Sequence, residues 1–118
     1  MNEPHLAMCN FIPDVERLRC MALECGFDGI DWTLKLEDLP TDGVRENGLR
    51  PSVSRLRPLE IRYHCAFNGV DLGHADPVKA AEAVSFYRRA CRLVSDLEGR
   101  FMTIHLGLGR ESLSLIHI

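Results

Sequence analysis

His64 and His105 are the residues of this 118-residue sequence best suited to chemistry. Each stands in an alternating segment. Ile61, Tyr63 and Cys65 interleave with Arg62, His64 and Ala66, and Met102, Ile104 and Leu106 interleave with Thr103 and His105. Successive side chains of a strand point to opposite faces, so each histidine ends the polar row of a strand whose other row is apolar. Imidazole changes charge near neutral pH and ligates metals. Two of them at matching depth on neighbouring strands suit metal binding or acid/base work. Asp31 and Trp32 end an earlier run, where a carboxylate suits a sugar hydroxyl or a metal's outer shell and an indole suits a sugar face. Asn10 ends the first run, and Asn68 and Asp71 follow the third. Each has a plainer role: a capped turn for Asp31, helix packing for Trp32, turn chemistry for Asn68 and Asp71.

The elements that must position these residues follow from the order of segments. Leu6 to Phe11 is a short apolar run, and Ile12-Pro13-Asp14 opens a helix. Val15, Leu18, Ala22 and Cys25 recur at helical spacing, with Gly26 where a C-terminal cap belongs. Phe27 to Thr33 reads as a second strand. Pro40, Gly43, Gly48, Pro51 and Pro58 then break any long helix, leaving loop with one short helix around Ser52 to Leu56. Glu60 to Phe67 is a third strand. Asp76-Pro77 caps a helix whose apolar stripe is Ala80, Val84, Tyr87, Cys91 and Val94. Phe101 to Leu106 is a fourth strand, and Gly107 and Gly109 let the loop after it turn close to a ligand.

Alternating strands and helices predict an α/β fold with a parallel sheet. Strand-helix units in this order make half of an eight-stranded (β/α) barrel, whose complete form needs about 250 residues. A doubly wound sheet usually carries a glycine-rich turn after its first strand, and Asn10 to Asp14 holds no glycine. The expected organisation is therefore the N-terminal half of a barrel over residues 1–111, with 112–118 (Ser-Leu-Ser-Leu-Ile-His-Ile) a non-native tail resembling adapter read-through.

Composition narrows the class. A net charge of −3 and a pI near 5.9 give no basic face for nucleic acid. No apolar run approaches the roughly 18 residues of a membrane span, and Met1 to His5 lacks a secretion signal, so the expected compartment is the cytoplasm. The five cysteines show no C-x-x-C pair. Cys20 and Cys25 are separated by about 500° around one helix. The expectation is reduced, mostly buried thiols that pack as small hydrophobes.

These segments resemble the xylose isomerase-like family of sugar-phosphate isomerases and epimerases. The resemblance lies in "LAMCNF" (6–11), "ALECGFDGIDW" (22–32), "IRYHCAF" (61–67) and "FMTIHLGLGR" (101–110); each is short, and their order carries the weight. It implies a TIM barrel, a divalent metal (Mn, Mg, Co or Zn), and proton movement next to the carbonyl of a small sugar or sugar phosphate. It places His64 and His105 in the catalytic pocket, with a metal-ligand role open to both. The family's usual Glu, Asp, His and Glu ligands come from strands five to eight. Asp31 and Trp32 stand where family members often have a glutamate. Asn10, Asp31, Trp32 and Asn68 are the expected substrate contacts, and homo-oligomerisation stays open. The alternatives are a zinc-dependent abasic-site phosphodiesterase on the same fold and a fragment without activity of its own.

Overall fold

The computed structural model describes residues 5–39, 48–65 and 67–105. The expectations for Pro40, Gly43, Ala66, Leu106, the Gly107 and Gly109 turn and the 112–118 tail lie outside these residues.

Four strands form one sheet: β1 (Ala7–Cys9), β2 (Gly29–Leu34), β3 (Glu60–Cys65) and β4 (Met102–Ile104). They lie side by side in chain order, and every neighbouring pair is parallel. The α/β expectation is met; β1 and β4 are shorter at both ends than their apolar runs suggest, and β2 starts two residues later and ends one residue later than expected.

Local chemistry explains the helices. Asp14 caps α1 (Val15–Glu24), its carboxylate accepting from Arg17 N at 2.9 Å. Gly26, at φ +78°, turns the chain out of α1 in the left-handed region that glycine occupies without strain. Asp76 caps α3 (Pro77–Asp96), accepting from Val78 N at 2.9 Å, with Pro77 in the first turn. The short helix α2 (Leu49–Ser54) begins three residues earlier than the proline and glycine spacing suggests. Asp28 clips β1 to β2: its carboxylate accepts from Leu6 N at 2.9 Å, and its own N–H donates to Leu6 O at 2.8 Å.

Both long helices pack on one face of the sheet. Leu18 and Ala22 of α1 and Ala83, Tyr87, Ala90, Leu93 and Val94 of α3 share a buried cluster with Met8, Ile30, Trp32, Leu34, Tyr63 and Cys65. Removing this apolar surface from water is the main stabilising term, at about 25 cal/mol per Å². Two expectations are corrected here. The buried stripe of α3 runs through Ala83, Tyr87, Ala90 and Val94, leaving Val84 at 39% exposure and Cys91 exposed. The helix is thus rolled by somewhat less than one residue's turn of about 100° from the expected face. Ala83 and Ala90, having little bulk, let it approach the strands. The thiols also differ: Cys65 is buried, whereas Cys9, Cys20, Cys25 and Cys91 are exposed. Cys9 ends β1 on the sheet face away from the helices, and Cys20, Cys25 and Cys91 lie on helix flanks or ends turned away from the core.

Candidate functional site

The sheet face away from the helices carries the polar residues. Register puts Cys9, Asp31 and Arg62 in one row and Thr33, His64 and Thr103 in the next. His105 follows Ile104 at the carboxyl end of β4, on the same face as Thr103. Asp31, His64 and His105 therefore climb the sheet diagonally, two residues further along with each strand. The two histidines are staggered by two residues, not level as their positions in the sequence suggest. Their rings lean together all the same.

The imidazoles of His64 and His105 stack with centroids 4.7 Å apart and planes at 28°. His64 Nε2 meets His105 Nε2 at 2.5 Å. Behind them, Asp31 Oδ2 lies 3.7 Å from His64 Nδ1, with side-chain exposures of 31% for Asp31 and 25% for His64. A carboxylate on the Nδ1 side favours a proton there, which leaves Nε2 of His64 as a lone pair. By inference His105 then donates from its own Nε2, since a contact between two ring nitrogens needs one donor and one acceptor. The pair is a hydrogen-bond acceptor and a donor facing each other.

The remaining expected contacts have separate roles. Asn10 Oδ1 accepts from Thr33 N at 2.8 Å, so its amide extends the β1–β2 ladder past the last paired residue. Trp32 lies on the helix face at 9% exposure, within the core cluster. Its parity along β2 matches Ile30 and Leu34, which puts it on the face opposite the histidines. Asn68 is exposed in a turn closed by Val70 N donating to Phe67 O at 3.1 Å, and Gly69 beside it has φ +76°. Its position is that of a turn residue. Asp71 is buried at 5% exposure and accepts from Gly73 N at 3.0 Å, which fixes the loop leading to α3.

A depression of about 590 Å³ opens at the carboxyl ends of β1 and β2, bordered by Asn10, Phe11, Thr33 and Lys35, with an edge of Trp32. Phe11, at 73% exposure, presents the accessible aromatic face there. Phe11 and Thr33 were not singled out from the sequence. Thr33 was legible from the two-residue period of β2; Phe11, beyond the end of β1, carried no such signal.

His64 and His105 are two nitrogen donors, and catalytic zinc takes three protein ligands. Among the described residues no three His, Cys, Asp or Glu side chains come together in a way that could hold a metal ion. Two nitrogens on one tetrahedral zinc at about 2.0–2.1 Å each would also stand wider apart than the 2.5 Å seen here. These residues as arranged do not fit a complete metal centre, and no step below runs through one.

Fold and site together define a parallel α/β protein with a carboxylate-backed histidine pair on the polar face of its sheet, at the carboxyl ends of the strands. Comparison with protein-family models, curated protein sequences and solved structures gives no match in any of the three. Among the described residues, no helix is long and apolar enough to cross a membrane.

Proposed function

We propose that this chain forms the first four strands of a (β/α)8 barrel and carries proton-transfer residues of a sugar or sugar-phosphate isomerase or epimerase. The barrel reading is supported by four parallel strands in chain order with both long helices on one side. A doubly wound sheet would cover both faces. Barrel enzymes work at the carboxyl ends of their strands, on the inner side, and that is where the polar row lies.

The observation that carries the activity is the convergence of His64 and His105 with Asp31 behind them. A hydroxy-carbonyl substrate entering between the rings meets a base and an acid. His64 Nε2 takes the proton from the carbon next to the carbonyl, and His105 Nε2–H gives its proton to the carbonyl oxygen. The product is an enediol, with His64 protonated and His105 deprotonated. Protonation of the former carbonyl carbon from His64, with loss to His105 of the hydroxyl proton on the carbon first deprotonated, completes isomerisation; protonation of the first carbon on its other face, with the first oxygen's proton returning to His105, completes epimerisation. Asp31 stabilises the imidazolium that forms on His64. The exposed ring of Phe11 offers an apolar face for the sugar.

The test is solvent deuterium exchange at the carbon next to the carbonyl, followed by NMR across a panel of aldoses, ketoses and their phosphates. It is run on the complete protein that carries these residues. His64→Ala and His105→Ala are each expected to slow exchange by about 10²–10⁴-fold. Unchanged exchange in either variant, or none with any substrate in the parent, refutes the assignment.

A further inference from the structure

Arg62 and Phe101 lie beside the histidine site without forming part of it. Register sets Arg62 next to Asp31, and Tyr63 N donates to Phe101 O at 3.0 Å, so the row of Cys9, Asp31 and Arg62 continues to Phe101 just before β4. Phe101 shares the parity of Thr103, which puts its ring on the same face. Arg62 therefore stands between a carboxylate on one side and an aromatic ring on the other. Neighbouring strands lie about 4.7–4.9 Å apart, and opposite charges side by side on a sheet ordinarily attract.

The guanidinium takes the ring. Arg62 Cζ lies 5.1 Å from the centroid of Phe101, and among the described residues Arg62 makes no ion pair within 4 Å. The Asp31 carboxylate is left to His64, with Oδ2 at 3.7 Å from Nδ1. A planar, weakly hydrated guanidinium is suited to stacking on an aromatic face. Phe101 is 51% exposed and stands outside the apolar core, so replacing it leaves the packing of sheet and helices in place.

We propose that Phe101 is a positioning residue for the histidine site. By holding the Arg62 guanidinium over its ring, it keeps that charge off Asp31 and leaves the carboxylate to hold the proton on His64 Nδ1. An Arg62–Asp31 pair would neutralise the carboxylate, remove the bias toward Nδ1–H and let His64 donate to His105 instead of accepting from it. An exposed cation–π contact favours the docked guanidinium by about two- to fivefold. The consequence for proton transfer rests on the proposed function, since a lone pair on His64 Nε2 is what takes the substrate proton; the arrangement of Phe101, Arg62 and Asp31 does not.

Long-range nitrogen–proton correlation spectra of the imidazoles read the tautomer directly, in the complete protein without substrate and at about pH 8, above the ordinary histidine range. In the parent, His64 should carry its proton on Nδ1. Phe101→Leu keeps an apolar side chain without the ring, and should raise the ratio of Nε2–H to Nδ1–H at His64 by about two- to fivefold. Phe101→Tyr keeps the ring and should match the parent. Phe101→Leu combined with Arg62→Gln removes the competing charge and should restore the parental tautomer, which a loss of packing alone would not allow. The proposal is overturned if the parent carries the proton on Nε2, if Phe101→Leu leaves the ratio unchanged, if Phe101→Tyr behaves like Phe101→Leu, or if the double variant stays shifted. No turnover is measured, so a parent without deuterium exchange refutes the proposed function and leaves this result to stand or fall by itself.

Discussion

Replacing Gly29 with alanine tests whether the β2–β3 ladder holds Asp31 and His64 in place. Gly29 opens β2 directly opposite Glu60, and Glu60 N donates to Asp28 O at 3.1 Å. A Cβ on Gly29 would lie 2.4 Å from Glu60 O and 3.3 Å from its carbonyl carbon. An ordinary carbon–oxygen contact needs about 3.3 Å, so the two strands must part by nearly an ångström. The obstacle is backbone in a ladder, which cannot rotate aside as a side chain would. Overpacking of this kind costs about 1–3 kcal/mol, and weakening the adjacent hydrogen bond adds about 1 kcal/mol. The lower chain entropy of unfolded alanine returns about 0.4–1 kcal/mol. The net expectation is a loss of about 1–3.6 kcal/mol. In urea, with a slope of roughly 1–3 kcal/mol per molar, the midpoint should drop by about 1 M at the middle of these ranges. Gly48→Ala is the control: nothing lies within 4 Å of its Cβ and its φ is −69°, so it should stay within about 0.5 kcal/mol of the parent. A Gly29→Ala midpoint indistinguishable from that of Gly48→Ala would refute the reasoning.

Thiol labelling of the native protein should modify Cys9, Cys20, Cys25 and Cys91 readily and Cys65 only on unfolding, counted by mass spectrometry; early modification of Cys65 would contradict its burial. Alkaline conditions should destabilise the fold, because burial, reinforced by Cys91, raises the Cys65 pKa from 9.0 to about 11. The folded chain keeps a proton that the unfolded chain releases above pH 9, so stability is full below that value and falls as pH rises towards 11, by up to roughly 3 kcal/mol. Tyr63 extends the loss from pH 10 to about 12, and the unfolding free energy of Cys65→Ala measured against pH should lack the first part of the fall. Asp76→Ala removes the cap on Val78 N and should cost about 1 kcal/mol, read as a lower urea midpoint with unchanged slope; no shift would show that Pro77 and tertiary packing hold the start of α3 without the carboxylate.

Much of this arrangement was legible in the sequence because it depends on neighbours along the chain. Asp14, Gly26, Asp76 and Pro77 act within one turn of their own helices, so the ends of α1 and the start of α3 followed from residue type alone. The two-residue period assigned His64 and His105 to the face opposite Tyr63 and Cys65, since that alternation is a property of any strand. What the sequence could not decide involves pairs far apart in it. The two-residue stagger that makes a diagonal of Asp31, His64 and His105 is set by ladder register, to which Asp28 bonding Leu6 and Gly29 meeting Glu60 contribute. The roll of α3 onto Ala83 and Ala90 was decided by how closely a helix can approach the sheet, because two apolar stripes of similar spacing share Tyr87 and Val94. Trp32 joined the core by its parity with Ile30 and Leu34, once the helix layer lay on that side of the sheet. Periodicity tells which residues share a face; only packing tells what that face meets.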